Sequence, residues 1–479
     1  MLRLSNCSLR TGQALAKRRH GIIVPLLKPN KPTNSMSSFR PVTLTRALHK
    51  LMERIVGRPG GVCIETKPQI HQAGLRPARS TLDTLMQVTS AVRRRKDGEK
   101  TAVVFTDCAR AFDSVGHGCI VKALLHFGTE RHLEAWMAGL LQERTAKVRV
   151  NNVLSEDVSL TCGVPQVSAL GPVPFIVTVD SLSKRLDCIP VLQDGFFADG
   201  RTMVSTSADL SEIQRTIQHG LDCITNRPAE YCMEVSAEKA EYTLFGPRQK
   251  SLLSPREGEA ALKEGRAPKL LGLTVQPHKR STKHALSIEE AAGTQLTQVR
   301  QAIAPPEGGT TRDELRAFCL ALVQNKMCYA VASWWFDTSL SDRERLGRVQ
   351  AQAAHIVAGI PKAFERKDAL REARLKTVSG VPHRRVLEYY LRLKAKGPVH
   401  TEGTSSIFPP ERPIYVRRAM VQHSFSTIDS PERPHNATAS QLARRVHFNT
   451  TTPGGLKADA PKEAQEGAHN AAHAAVQGF

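Results

Sequence analysis

No apolar run in this sequence approaches the roughly 18 residues of a membrane-spanning helix, and nothing near Met1 forms the hydrophobic centre of a signal peptide. Neither a membrane partner nor secretion is supported, which leaves an intracellular protein, nuclear or cytoplasmic. Paired cysteines are also missing. The ten cysteines stand singly between Cys7 and Cys328, with none at the spacing of a zinc knuckle or redox pair. They read as buried thiols in a reducing compartment. Negative charge is scarce: 45 acidic residues face 67 Lys and Arg, giving a formal charge of +22 and a pI near 9.8. An extended polyanion such as RNA or DNA is the natural partner of such a chain. A basic protein without that partner is the plain alternative.

What is present suffices for one or two sizeable cores, since 479 residues carry 41% hydrophobic side chains. From about Gly21 to Gln276 short β-rich runs alternate with amphipathic stretches, which predicts one mixed domain of strands and helices. Leu48, Leu51, Met52, Ile55 and Val56 mark one apolar helical face, and Ile120, Val121, Leu124 and Leu125 another. Asn151-Asn152 can turn a hairpin within Lys147 to Leu160. From about Glu289 to Lys396 the pattern becomes helical and basic, which suggests a separate module. Beyond Gly397 apolar periodicity fades, and the tail reads as low in order.

Three segments carry candidate chemistry. Thr101 to Val115 places Asp107 just after the apolar run Val103-Val104-Phe105. An acid there can hold a hard divalent cation, or it can simply cap a helix. Gly195 to Val204 places Asp199 between two apolar runs, where Asp-Gly is a strong hairpin signal. If the two strands are neighbours, Asp107 and Asp199 can share divalent cations that clamp the oxygens of a phosphoryl transfer; a surface turn without metal is the alternative. Between them, Cys162 to Pro172 is rich in turn formers and suits close backbone approach to a ligand, or an ordinary loop entering a helix.

Taken in order, these segments resemble motifs A, B and C of reverse transcriptases, in the form found in non-LTR (LINE-type) retrotransposons. Ala111-Phe112-Asp113-Ser114-Val115 resembles motif A of that branch. Gly163-Val-Pro-Gln166 with Leu170-Gly171-Pro172 is similar to its GVPQGSxLGP motif B. Upstream, Ile23 to Pro29 and Phe39 to Leu44 resemble the finger motifs PxxKP and YRPIxL, and His71 to Pro77 resembles QxGFRP. Downstream, Cys232 to Phe245 is similar to motif D and Leu270-Leu271-Gly272-Leu273 to motif E. The resemblance spans roughly residues 4 to 395.

It implies an α+β right-hand polymerase: fingers and palm with an antiparallel sheet over residues 1–285, a basic helical thumb-like region over 286–396, and a mostly disordered tail over 397–479. It implies RNA-directed DNA polymerase activity with an RNA template, a DNA primer, deoxynucleoside triphosphates and Mg²⁺ (or Mn²⁺). Asp107 and Asp199 match the catalytic metal ligands, and the Cys108 carbonyl is a further candidate ligand. Lys239 matches the motif D lysine, a proton donor to the pyrophosphate leaving group; an isolated lysine beside Glu238 and Glu241 would otherwise read as a helix-surface ion pair. Lys28 and Arg40 match finger cations that meet the triphosphate. Phe112 sits where the family places the aromatic under the nucleotide sugar, with a core aromatic as the alternative. Gln166 matches a residue that contacts nucleotide and template.

Departures from the family predict a degenerate site. The second aspartate of motif C is Gly200, which removes one carboxylate, and the glycine after Gln166 is Val167, whose branched side chain would intrude and be strained at φ > 0. Leu75 replaces the customary Phe. Met1 falls just before the finger motifs, leaving no room for an N-terminal endonuclease, and neither spaced acids for an RNase H domain nor a Cys/His finger follows. The sequence therefore reads as a truncated, degenerate copy. Two other functions stay open: an inactive nucleic-acid-binding remnant of the same fold, and a maturase-like RNA-binding protein.

Overall fold

Two sheets organise the chain in this computed structural model, which describes residues 2–12, 19–55, 71–165, 168–225, 234–247, 253–276, 281–303 and 309–395, apart from positions 46, 48, 49, 110, 130, 169, 237 and 238. The strands are β1 (His20–Leu27), β2 (Phe39–Leu44), β3 (Lys100–Ala109), β4 (Arg144–Val150), β5 (Val153–Leu154), β6 (Val158–Leu160), β7 (Leu192–Phe197), β8 (Gly200–Ser207), β9 (Glu234–Val235) and β10 (Glu241–Phe245). The first sheet runs β2-β1-β4-β5, with β6 also on β4. The second places β3 between β10 and β8, with β7 beyond β8 and β9 on the far end of β3. The pairs that β3 makes with β8, β9 and β10 are all antiparallel.

The second sheet is covered on both faces, and alternation along β3 shows how. Ala102 and Val104 enter one core, joined by Met203 of β8. That core is closed by α3 (His117–Phe127), α4 (Arg131–Leu141), α5 (Pro172–Asp187) and α6 (Leu210–Thr225), through residues such as Ile120, Trp136, Phe175 and Ile217, and Trp136 Nε1 donates to Ser8 Oγ of α1 (Leu2–Thr11). Val103 and Phe105 point the other way, into a core with Val204, Leu85 and Val88 of α2 (Thr81–Arg94), Ala285 and Ile288 of α7 (Thr282–Gln298), Trp334, Trp335 and Leu346. A strand that is apolar on both faces needs a cover on each.

The helical region is therefore not the separate module expected from composition. It shares a core with the sheet, and the expected border between 285 and 286 falls inside α7. The helical face expected around Leu51 also differs. Residues 50–55 are helical, but Leu51 and Ile55 are 51% and 41% exposed, and Met52 and Glu53 are the buried members.

Local sequence accounts for several boundaries. Asn151 and Asn152 both take positive φ, 48° and 66°, the backbone of a type I′ turn between β4 and β5. Ser80 and Asp83 form a capping box that starts α2. Gly128 ends α3 in the left-handed conformation, and Pro172 occupies the first turn of α5. Gln166, Val167 and Val56 lie outside the described residues, as does the expected tail over 397–479.

Candidate active site

Motifs A and C meet at one end of the central strand pair. Asp107 is opposite Gly200 in the β3–β8 ladder, and the Cys108 amide donates to the Asp199 carbonyl at 3.1 Å. Asp199 lies in the two-residue turn joining β7 to β8, since Phe197 pairs with Gly200. Of the two turn residues only Ala198 has positive φ, at 55°. Gly200 thus opens a strand instead of making the turn. A Cβ there would meet nothing closer than the Phe197 carbonyl at 3.5 Å, an ordinary contact. No backbone requirement holds glycine at this position.

The register also defines what Gly200 omits. Directly opposed residues of an antiparallel pair project to the same face with Cβ atoms about 5 Å apart. A carboxylate at position 200 would therefore stand beside that of Asp107.

The electrostatics of the pair fit a cation. Burial pushes the Asp199 carboxyl above its ordinary range, and the charge of Asp107 pushes it further, with Lys239 pulling the other way. Lys239 follows β9 on a turn, and its Nζ lies 2.5 Å from Asp107 Oδ2. Its partner is thus the motif A acid. The ammonium offsets part of the negative charge that the two carboxylates concentrate there, charge that a divalent ion could also offset. The Cys108 thiol is pushed up to about 11 by burial first and by the neighbouring carboxylates, although Arg201 opposes them, so it is no thiolate ligand.

A support not foreseen in the sequence is Gln72. Its Oε1 accepts from the Ala198 and Gly74 amides and its Nε2 donates to the Ala198 carbonyl, all at 2.9 Å. Gln72 is 2% exposed. Close approach requires Gly74, because a Cβ there would lie 2.4 Å from the Ala198 nitrogen. The Gln-x-Gly pattern was legible, but its role needed a contact across more than a hundred residues.

Motif B packs against motif A. Gly163, at φ 79°, sits so close to Asp113 that a Cβ would be 2.7 Å from its carbonyl oxygen. The Gly163 and Val164 amides donate to the Val115 and Phe112 carbonyls. The Gly163 carbonyl accepts from Arg144 Nη1 and His117 Nε2, each at 3.0 Å, which ties the loop to the first sheet. Ser168 Oγ donates to the buried Glu53. Phe112 is half-buried and stacks on Phe175 with ring centroids 4.5 Å apart. Lys28 and Arg40 lie elsewhere, on the β1–β2 hairpin, where Leu26 pairs with Arg40 and the Lys28 amide donates to the Ser38 carbonyl. The structure thus brings Asp107, Asp199 and Lys239 together, with Phe112 on the motif A–motif B contact.

A family model described as reverse transcriptase (RNA-dependent DNA polymerase) matches residues 27–281, which is more than half of the chain. The chain belongs to the reverse transcriptase family. It is similar to the RNA-directed DNA polymerase from mobile element jockey of Drosophila melanogaster, 23% identical over 84% of this chain and 44% of that protein. It is also similar to the probable RNA-directed DNA polymerase from transposon BS of the same organism, 26% identical over 78% of this chain and 42% of the other. A shorter match, 29% identical over 32% of this chain and 22% of the relative, is to the Pol polyprotein of retrotransposable element R2 of Popillia japonica. These relatives place the reverse transcriptase in the LINE-type, non-LTR branch. The chain spans less than half the length of the curated relatives it matches. Among solved structures, a telomerase from Candida tropicalis in complex with a telomeric RNA fragment aligns at TM-score 0.40 and 11% identity, covering 88% of this chain and 67% of that one. Among the described residues, no helix is long and apolar enough to cross a membrane.

Proposed function

We propose that this chain is the polymerase part of a LINE-type element, an RNA-directed DNA polymerase by descent whose catalysis is impaired at its metal site. The observation that carries the reading is the junction of Asp107 and Asp199 on adjacent strands, with Gly200 directly opposite Asp107. Asp107 and Asp199 would hold Mg²⁺ (or Mn²⁺), with the Cys108 carbonyl as a further ligand. When bound, such ions supply charge neutralisation for in-line nucleotidyl transfer.

The remaining work belongs to side chains. Lys28 and Arg40 meet the triphosphate of the incoming deoxynucleotide, through a point charge and a planar fork. Phe112, held by Phe175, lies under the sugar and excludes a 2′-hydroxyl by bulk. Gln166 contacts nucleotide and template. Lys239 releases Asp107 when substrate enters and donates a proton to the departing pyrophosphate. The net charge of +22 supports an RNA template and DNA primer as partners.

Two residues set the impairment. Gly200 takes one carboxylate and its negative charge out of the site, and a loss of about 3 kcal/mol in the transition state slows the rate more than a hundredfold. Val167 stands where the family's motif has glycine, and its branched side chain is the second departure that would hinder nucleotide binding. The resulting second reading, a nucleic-acid-binding remnant, is favoured by Gly200, the one of the two within the described residues.

Primer extension on an RNA template with Mg²⁺ or Mn²⁺, alongside RNA binding at moderate salt, tests the proposal. RNA binding with extension near background fits it. Efficient extension abolished by Asp107→Ala would refute the impairment, and loss of RNA binding at moderate salt would refute the polymerase reading itself.

A further inference from the structure

Half a strand away from Asp199, a second group of ligand-bearing side chains converges. His71 precedes the Gln72 clamp, Asp187 ends α5, and Asp194 lies within β7. One donor atom from each lies within 4.8 Å of the other two. His71 Nε2 is 3.2 Å from Asp187 Oδ1, and His71 Nδ1 is 4.0 Å from Asp194 Oδ1. Donor atoms held at about 2.0–2.2 Å around one zinc-like ion stand about 3–4 Å from one another. His71 meets Asp187 through Nε2 and Asp194 through Nδ1, so a turn of the imidazole that aims one nitrogen between the two carboxylates separates this group from a coordination shell.

Asp194 supplies an independent reason to expect an ion. Its side chain is 1% exposed. Oδ2 accepts from Ser183 Oγ at 3.2 Å. Oδ1 faces the cluster, 4.0 Å from His71 Nδ1. A carboxylate held at so little exposure is costly to keep charged, and a cation in the intervening space offsets the cost. Burial pushes this carboxyl above the ordinary range, opposed by His71 and Arg201. His71 and Asp187, at 38% and 35% side-chain exposure, leave the opposite side open to water for the remaining coordination positions.

We propose that His71, Asp187 and Asp194 hold a divalent transition-metal ion of the zinc class, distinct from the Asp107–Asp199 site. One imidazole nitrogen and two carboxylates suit such a borderline ion better than Mg²⁺, which prefers oxygen alone. The ion joins the end of α5 to β7 and to the segment behind the catalytic turn. Phe196 donates its amide to the His71 carbonyl at 3.1 Å, and Gln72 grips Ala198 next door. Its place is therefore structural, bracing the turn that carries Asp199.

The test uses the full chain, freed of metal and titrated with Co²⁺ and then Zn²⁺. Visible d–d absorption should develop without the sulfur-to-cobalt charge-transfer band that any of the ten cysteines would produce, and Zn²⁺ should displace it. His71→Gln, at a half-exposed position that tolerates the change, and Asp194→Asn should each weaken binding at least about tenfold. The double variant Asp107→Asn/Asp199→Asn should keep the signal. Absence of the d–d absorption, a sulfur-ligated spectrum, or a signal unchanged in both His71→Gln and Asp194→Asn overturns the proposal. Loss of the signal only in the Asp107/Asp199 double variant overturns it too, by assigning the ion to the catalytic pair.

Discussion

Replacing Gln72 by alanine should loosen the turn that carries Asp199, and the size of the effect follows from three hydrogen bonds. The change strands the Ala198 amide, the Ala198 carbonyl and the Gly74 amide, each now bonded at 2.9 Å. A buried polar group left unpaired costs about 1–3 kcal/mol, and water entering the vacated volume recovers part of it. A net local cost of about 3 kcal/mol results, which corresponds to roughly a hundredfold loss of protection, at about 1.4 kcal/mol per factor of ten. Hydrogen exchange of the peptide spanning residues 196–200 reads this directly. Gln72→Glu separates packing from hydrogen bonding: it keeps the acceptor for both amides but turns an oxygen toward the Ala198 carbonyl, so it should lose protection nearly as severely as alanine. Unchanged exchange in Gln72→Ala, or full protection in Gln72→Glu, would show that the clamp does not hold the turn.

Other expectations follow from burial and backbone conformation. Gly163→Ala should destabilise the fold by about 3 kcal/mol in urea unfolding, because a left-handed alanine costs about 1–2 kcal/mol and its Cβ also strikes the Asp113 carbonyl. Gly128→Ala shares the positive φ but meets nothing within 4 Å, so it should cost only the conformational part; equal losses would refute the close approach. His284 is 1% exposed, and burial, aided by Lys326, lowers its imidazole from 6.5 to about 4. Because the folded state binds the proton less well than the unfolded chain, the stability from neutral His284 is complete above pH 6.5 and declines as pH falls toward 4. The full loss is about 3 kcal/mol, and His284→Gln should flatten the pH 4–6.5 stretch of the unfolding profile; an unaltered profile would contradict the assignment.

Features encoded locally were legible in the sequence. Asn151-Asn152 supplies a turn by its own tolerance of positive φ, and Val103-Val104-Phe105 announces a strand apolar on both faces. Motif order led to Asp107 and Asp199 as partners, and the sheet places them together. The rest depended on contacts distant in sequence. Nothing near Gln72 reveals that its amide grips Ala198, and nothing near Lys239 reveals Asp107 as its partner in preference to neighbouring glutamates. The hairpin was visible at Asp199-Gly200, yet its turn lies one residue earlier, with Ala198 carrying the unusual φ. Helical composition after residue 285 suggested a separate body because composition does not disclose that Ala285 and Trp334 cover the face of β3 opposite α5.

The central claim is that a reverse-transcriptase site built on Asp107 and Asp199 is weakened by glycine opposite Asp107, and single-turnover primer extension on RNA with Mg²⁺ tests it most directly. Gly200→Asp, at a position with room for a Cβ, should extend at least about a hundredfold faster than the native chain, and Asp107→Ala should abolish the gain. Native extension as fast as that of Gly200→Asp, or a Gly200→Asp gain that survives Asp107→Ala, would contradict the account.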